Sequence, residues 1–183
     1  MNKKILIGLF FAFIMIFSIF GMVVEFLSPE EKLEYGEYTF KIKDNQFFTK
    51  INGQEHGFLF YPQDLEYITM PEEAKMLLSS PVFTVTYNPQ SELAEELASA
   101  QYYFEVQLQD KVIERALTNN TGTSLPQKTC KDSTPENPVV ELKQTDESAI
   151  TIENTCITIG AVDERDLYQQ TERFVYTILG VMT

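Results

Sequence analysis

The chain has 183 residues, of which 44% are hydrophobic and 22% are charged, and its formal net charge is −13. This length suits one ordinary domain, and the composition is that of a globular protein rather than a disordered or fibrous one. The acidity excludes nucleic acid as an expected partner, because phosphate backbones bind clusters of lysine and arginine. We read the negative charge as that of a soluble, self-repelling surface.

An uncharged apolar segment runs from Ile5 to Val24, directly after Lys3 and Lys4. As a helix it would extend for roughly 30 Å, the thickness of the hydrocarbon core of a bilayer. The lysines precede the segment and the acidic stretch "EFLSPEEKLE" follows it, which predicts a cytoplasmic amino terminus and an external carboxy-terminal part. We interpret the segment as an uncleaved signal-anchor, since a signal peptide has a shorter apolar region and a clear cleavage site.

These features predict a single-pass protein of the cell membrane whose first partner is the lipid bilayer. Four parts follow in order: a cytoplasmic tip (1–4), a transmembrane signal-anchor (5–24), a polar linker (25–36) and an extracytoplasmic α/β domain (37–183).

The outer domain opens with three short runs of alternating polarity, which predict a three-stranded meander. The runs are Tyr38–Ile42, Phe47–Ile51 and Gly57–Tyr61. Asn52-Gly53 between the second and third runs favours a two-residue hairpin turn. The single histidine, His56, stands at the start of the third run. We interpret it as a partly exposed strand residue rather than as a general base.

The middle of the domain predicts a helix, a strand, a second helix and a second strand. "MPEEAKMLLSS" favours a short helix that begins with Pro71. Pro81–Tyr87 has apolar or bulky residues at both odd and even positions, so both faces of the strand would be buried, which indicates a central strand. A helix then begins at Asn88-Pro89, buries a stripe through Leu97 and Phe104, and ends near Asp110. "VIERALT" follows as a strand, so this order predicts a parallel crossover.

The last third predicts more strands and a terminal helix. Val139–Gln144 and Ala149–Gly160 supply two or three strands. An amphipathic helix follows with Asp163 as its N-cap. Its predicted sheet-facing residues are Leu167, Phe174, Val175, Ile178 and Leu179. The expected fold class is α/β: a transmembrane helix and then one mixed-sheet domain with about three helices.

Among the side chains that could take part in catalysis or bind a metal ion, carboxylates are the most frequent. Glu92 and Glu96 stand one helical turn apart, with Glu95 between them, and a second acidic group comprises Asp163, Glu164 and Asp166. We interpret Glu92 and Glu96 as part of a solvated helix face. The cluster Tyr102-Tyr103-Phe104 is interpreted as core. No residue is predicted to be catalytic, cofactor-binding or metal-binding, and no cofactor is expected.

Asn119 begins the sequence Asn119-Asn120-Thr121, an acceptor pattern for N-linked glycans. It lies in a predicted exposed loop on the side of the membrane that we assign to the exterior. Asn119 is therefore a candidate for glycosylation in a host that glycosylates, although such sequences also occur by chance.

The two cysteines, Cys130 and Cys156, allow four interpretations: a metal site, a redox pair, a nucleophile with a bystander, or a structural bridge. A zinc site lacks sufficient ligands at workable spacing. A reactive thiol would have to stay reduced outside the cell, where disulfides persist. The even count and the external location favour a Cys130–Cys156 disulfide.

The motifs "SLPQKTC", "PVVEL" and "NTCITI", with the ending "DERDLYQQTERFVYTILGVM", carry a resemblance. The sequence resembles a group of small, single-pass membrane-anchored archaeal proteins of uncharacterised function. The resemblance implies an anchor, an external α/β domain and a cysteine pair, and it implies no activity.

Three functions are consistent with these features. The first is a non-catalytic binding or assembly module at the cell surface with a protein partner there. The second is a carboxylate-dependent or divalent-cation-dependent hydrolase, which requires acidic side chains from different elements to meet in a cleft. The third is an accessory subunit whose anchor pairs with a larger membrane complex.

Overall fold

A computed structural model describes residues 10, 13–17, 32–77, 79–120 and 122–183 of the chain. The chain divides into two compact units, residues 1–32 and 33–183. In the first unit, residues 13–17 are helical and expose their apolar side chains. Within the described ranges, no helix is both long enough and apolar enough to cross a bilayer. The anchor predicted for Ile5–Val24 lies mostly outside these ranges and stays a prediction.

The first sheet is an antiparallel meander of four strands in the order β1-β2-β3-β4. The strands are β1 (Lys32–Tyr35), β2 (Tyr38–Lys43), β3 (Gln46–Ile51) and β4 (Gln54–Phe58). Asp44-Asn45 and Asn52-Gly53 form the last two turns with positive φ angles, as two-residue hairpins require. The meander is therefore confirmed but has one more strand than expected. Its last strand begins at Gln54 rather than Gly57 and ends at Phe58 rather than Tyr61. β1 occupies part of the predicted linker 25–36, because Leu33 and Tyr35 alternate onto the core.

The second sheet has five strands in the order β6-β5-β7-β9-β8. The strands are β5 (Val82–Tyr87), β6 (Val112–Leu117), β7 (Val139–Gln144), β8 (Ala149–Glu153) and β9 (Cys156–Ala161). β5 pairs in parallel with β6 on one side and with β7 on the other, and β7 pairs in parallel with β9. Only the edge strand β8 is antiparallel to its neighbour. The predicted central position of Pro81–Tyr87 and the parallel crossover are confirmed.

The described part of the second unit contains three α-helices: α1 (Glu72–Leu77), α2 (Ala94–Gln107) and α3 (Glu164–Ile178). Helices α2 and α3 contact each other and cover the same face of the second sheet. The meander packs on the opposite side of α3, where the rings of Phe58 and Tyr176 stack at 4.0 Å. The expectation of one mixed sheet was wrong, because the early strands bury their apolar side chains on α3 rather than joining the parallel strands.

From Gln170 to Tyr176, helix α3 is buried around its whole circumference rather than along one stripe. Asp163 caps it by accepting a hydrogen bond from the Asp166 amide at 2.9 Å, as the sequence predicted. Leu167, Phe174 and Val175 are buried as expected. The polar side chains on the other side are also buried, and they are Gln170, Thr171, Glu172 and Arg173. The helix therefore forms the middle layer between two sheets.

The second face of the five-stranded sheet is covered by residues 118–120 and 122–138, which we call the covering segment. It contains one short 3-10 helix, Cys130–Asp132, and is otherwise irregular. Thr86 Oγ1 in β5 donates a hydrogen bond to the Lys128 carbonyl at 2.9 Å, and Ser133 Oγ donates to the Thr155 carbonyl at 2.6 Å. A disulfide joins Cys130 in this segment to Cys156 in β9. These contacts hold the segment against the sheet and leave the carboxyl ends of the strands open.

Candidate ligand-binding crevice

All four parallel strands of the second sheet end at the same edge. The residues that follow them are Asn88 after β5, Thr118 after β6, Thr145 after β7 and Val162 after β9. From β5 the chain turns through α2 to β6, whereas β7 lies on the opposite side of β5 and turns toward β8. In open α/β sheets, such a point of divergence between neighbouring strands leaves a crevice outside their carboxyl ends, where ligands bind.

A cavity of about 980 Å³ occupies this position, and we call it the crevice. Its volume lies at the upper end of the range for small-molecule sites. Its walls come from the loop after β5, the start of α2, the second half of β7 and the loop that follows β7. The lining residues are Asn88, Gln90, Ser91, Glu92, Leu97, Thr118, Glu141, Leu142, Lys143, Gln144, Thr145, Asp146 and Val162.

The loop between β5 and α2 forms one wall of the crevice. Asn88 Oδ1 accepts a hydrogen bond from the Gln90 amide at 3.0 Å, so the chain turns sharply as it leaves the strand. Ser91 Oγ donates to Gln144 Oε1 at 3.1 Å and ties this loop to the end of β7. The expected helix start at Asn88-Pro89 was therefore too early, because these residues form a turn before α2 begins at Ala94.

The loop after β7 forms the opposite wall. The Thr145 amide donates to the Ala161 carbonyl at 2.9 Å, and Thr145 Oγ1 donates to the Glu147 carbonyl at 2.8 Å. Gly160 permits this close approach, since a Cβ at that position would lie only 2.8 Å from Thr145 Oγ1. The neighbouring strand β9 therefore fixes the loop and with it the position of Asp146 at the crevice.

The crevice is acidic but contains one lysine. Glu92 and Asp146 are exposed to solvent, and their carboxylates have no hydrogen-bond partner in the part of the chain that the structure describes. Glu141 is half-buried and its Oε2 atom lies 3.3 Å from Cys130 Sγ. Lys143 supplies the positive charge. Acidic side chains from separate elements thus meet in one cleft, although Glu96 does not join Glu92 there.

The cysteine prediction is confirmed. Cys130 and Cys156 form a disulfide with their Cα atoms 5.2 Å apart, within the range that a bridge requires. Glu141 brings a third ligand-type atom near both sulfurs, and within the described ranges no other group of three metal-ligating residues lies as close together. Because the sulfurs are bonded to each other, this cluster is a structural bridge in the oxidised chain.

Other sequence candidates lie away from the crevice. His56 was expected to be partly exposed but is buried, and its Nδ1 lies 2.9 Å from Gln107 Oε1. Tyr102 is exposed whereas Phe104 is fully buried, so the aromatic cluster belongs only in part to the core. Asn119 is half-buried in the covering segment.

The second acidic group has a structural role at the start of α3. Asp163 is the N-cap, and Asp166 Oδ2 accepts a hydrogen bond from the Val162 amide at 3.0 Å and another from Ser148 Oγ. Glu164 is exposed in the first turn of the helix, where negative charge is favourable. Asp163 and Glu164 are exposed to solvent, whereas Asp166 is half-buried.

Sequence reasoning missed the buried carboxylate of Glu172. It accepts hydrogen bonds from the amides of Leu59 at 2.7 Å and Phe60 at 2.9 Å, and from the Tyr103 hydroxyl at 3.3 Å. Burial raises the pKa of Glu172 to about 7, although these three hydrogen bonds oppose the rise. The carboxylate also contributes to raising the pKa of Tyr176, of which burial is the main cause. Glu172 does not line the crevice, and its contacts join the meander to α3.

Comparison of the chain with protein families, characterised proteins and solved structures found no match.

Proposed function

We propose that this protein is a membrane-tethered extracytoplasmic domain that binds a small polar ligand in the crevice. The observation that carries the binding role is the coincidence of the cavity with the carboxyl ends of four parallel strands. Ligands of open α/β sheets bind at this position because loops of diverging strands can be varied there without disturbing the core.

Two observations support the tethered, external location. The uncharged run from Ile5 to Val24 has lysines before it and acidic residues after it. The Cys130–Cys156 disulfide is consistent with an oxidising compartment outside the cytoplasm. Residues 13–17 add an apolar helical stretch whose side chains are exposed and suited to lipid.

A hydrolase is the second candidate, favoured by one observation. Glu92 and Asp146 reach the same crevice from different loops, and neither carboxylate is held in a hydrogen bond with the described residues. A pair of carboxylates can divide the roles of general acid and general base. We rank this function below binding, because both carboxylates are exposed to solvent, whereas the general acid of such a pair usually lies in an apolar pocket.

Protease protection tests the tethered topology. In intact cells, external protease should digest residues 33–183 of the membrane-bound chain, and a tag placed before Met1 should stay protected until the membrane is opened. Protection of both ends would contradict the external location. Release of the intact chain by alkaline carbonate would contradict the anchor.

A further inference from the structure

We infer that the crevice binds an uncharged saccharide. This inference rests on the proposed binding function and specifies the chemistry of its ligand. It depends on which polar atoms of the crevice remain free, on the sign of the charge around them and on the apolar surface beneath them.

The charge at the start of α2 argues against a phosphate or nucleotide. A helix amino terminus at a sheet edge often binds phosphate, because its free amides and its dipole attract anions. Here Glu95 and Glu96 occupy the first turn of α2, and Glu92 precedes it. The loop from Asn88 to Leu93 also lacks glycine, so its backbone does not form the close cradle that phosphates require. The dipole is thus already compensated by carboxylates.

The free polar atoms of the crevice include both donors and acceptors. Asn88 Nδ2, Gln144 Nε2 and Lys143 Nζ are donors without a partner among the described residues. The carboxylates of Glu92 and Asp146 are acceptors that bond to none of the residues that the structure describes. A saccharide hydroxyl donates one hydrogen bond and accepts others, so a ligand with several hydroxyls can use both kinds of group at once. An ammonium ligand would leave the three donors without acceptors.

Apolar side chains lie among these polar groups. Val162 lines the crevice and is 42% exposed, so it supplies the apolar surface that a ligand can reach, whereas Leu97 and Leu142 are almost completely buried in the wall. A sugar ring presents C–H groups as well as hydroxyls, and such apolar edges can cover a small hydrophobic surface. The volume of about 980 Å³ exceeds the need of one ring, so we expect more than one sugar unit to bind.

The geometry is less suitable for a metal ion. A divalent cation such as calcium takes several oxygen ligands held close together. In the part of the chain that the structure describes, no three metal-ligating side chains converge within the crevice. Lys143 also lines it and would oppose a cation. The free carboxylates therefore accept hydrogen bonds from hydroxyl groups of the ligand rather than bind an ion.

The test is a binding titration of the full chain in detergent micelles. The probes are mono-, di- and tetrasaccharides of glucose, mannose and galactose, with spermidine and inorganic phosphate as charged comparators. Two matched pairs of variants locate the site. Glu92→Gln and Asp146→Asn change crevice carboxylates, whereas Glu95→Gln and Asp110→Asn remove the same charges outside the crevice. Product analysis in the same samples detects any cleavage.

We expect at least one neutral di- or tetrasaccharide to bind more tightly than its monosaccharide. Each crevice variant should weaken that binding about tenfold, the usual effect of removing a hydrogen bond to a charged group, and each control should leave it unchanged. Absence of saccharide binding, or saccharide binding that ignores the crevice variants, overturns the inference. If spermidine or phosphate binds instead and responds to Glu92→Gln, the crevice function stands and only the ligand class is wrong. If no probe shows a crevice-dependent response, both proposals fail.

Discussion

The carboxylate of Glu172 accepts a hydrogen bond from the backbone amide of Leu59 at 2.7 Å, across 113 positions of sequence. A second bond from the Phe60 amide makes the contact bidentate. The two amides lie just after β4, where the meander ends, and Glu172 lies in the middle of α3. A charged group in the layer between two sheets thus satisfies backbone donors that would otherwise be buried without partners.

The burial of Glu172 predicts that the protein is less stable at neutral pH than at mildly acidic pH. The pKa of Glu172 is about 7 in the folded chain, compared with 4.5 for an ordinary glutamate. Between these values the unfolded chain releases the proton while the folded chain retains it, so the free energy of unfolding decreases as pH rises. The total decrease from this group is about 3 kcal/mol, and it levels off above the folded pKa.

Denaturant unfolding of the wild type and of Glu172→Gln at several pH values measures this effect. The difference between the two curves isolates Glu172, since every other titrating group is common to both chains. Tyr103 and Tyr176 face the carboxylate, and burial raises the pKa of each, so neither changes charge in this range. Equal slopes for the two chains would show that Glu172 keeps an ordinary pKa.

Loss of the Cys130–Cys156 bridge should destabilise the domain by about 3.5 kcal/mol, the chain-entropy cost of a loop of about 27 residues. The double variant Cys130→Ser/Cys156→Ser, compared with the oxidised wild type in chemical denaturation, measures the loss. Hydrogen exchange should increase chiefly in the covering segment, because the bridge joins it to β9. An unchanged midpoint would mean that the unfolded chain gains little freedom when the bridge is removed.

The guanidinium of Arg173 should be difficult to replace. Nε donates to the Ile68 carbonyl at 3.0 Å, Nη1 to Thr177 Oγ1 at 2.6 Å and Nη2 to the Thr183 carbonyl at 2.7 Å. Arg173→Met leaves these acceptors unpaired and should reduce the free energy of unfolding by about 3 kcal/mol.

Two further variants separate geometry from charge at this position. Arg173→Lys keeps the charge but not the planar fork, so it should recover only part of the stability. Thr177→Val removes one acceptor and should lower stability by about 1 kcal/mol. Full recovery by lysine would show that charge alone, rather than the three directed bonds, stabilises this region.

Much of the fold is predictable from local chemistry, because the signals act over a few residues. Asn52-Gly53 adopts the positive φ angles of a tight hairpin, and Asp163 caps α3 through an amide three residues away. β1 escaped prediction because Lys32 and Glu34, its exposed positions, read as linker. The division into two sheets could not be deduced either, because the sequence of a strand does not indicate which distant strand it will pair with.

The candidate site was less predictable than the fold. Gln170 to Arg173 have the composition of a solvated helix face, yet all four are buried. Residues far away in sequence contact them, such as Leu59 and Phe60 at Glu172 and Ile68 at Arg173. The crevice depends on strand order. Asn88 and Asp146 line one cavity because β5 and β7 are neighbours, which their separation in sequence does not reveal. The sequence predicted that Glu92 forms an exposed pair with Glu96, whereas in the structure Glu92 lines the crevice together with Asp146.

Glycosylation of Asn119 is a prediction that depends on the compartment. If the covering segment faces the exterior, expression in a host with N-linked glycosylation should add a glycan there. Mass spectrometry of the peptide that contains Asn119 should show the added mass, and Asn119→Gln should abolish it. An unmodified peptide from chain that has passed through the secretory route would contradict the prediction.

Removal of residues 1–27 should release a soluble, folded domain, because residues 33–183 form a compact unit with their own core. The truncated chain should remain in solution without detergent, unfold cooperatively and retain the Cys130–Cys156 bridge.

Replacing four apolar residues between Ile5 and Val24 with lysine in the full chain is the matched control, since it alters the proposed anchor without shortening the protein. Both changes should abolish membrane association. A truncated chain that aggregates or lacks a cooperative transition would show that the amino-terminal residues are part of the fold. A lysine variant that still sediments with membranes would show that the outer domain itself binds the membrane.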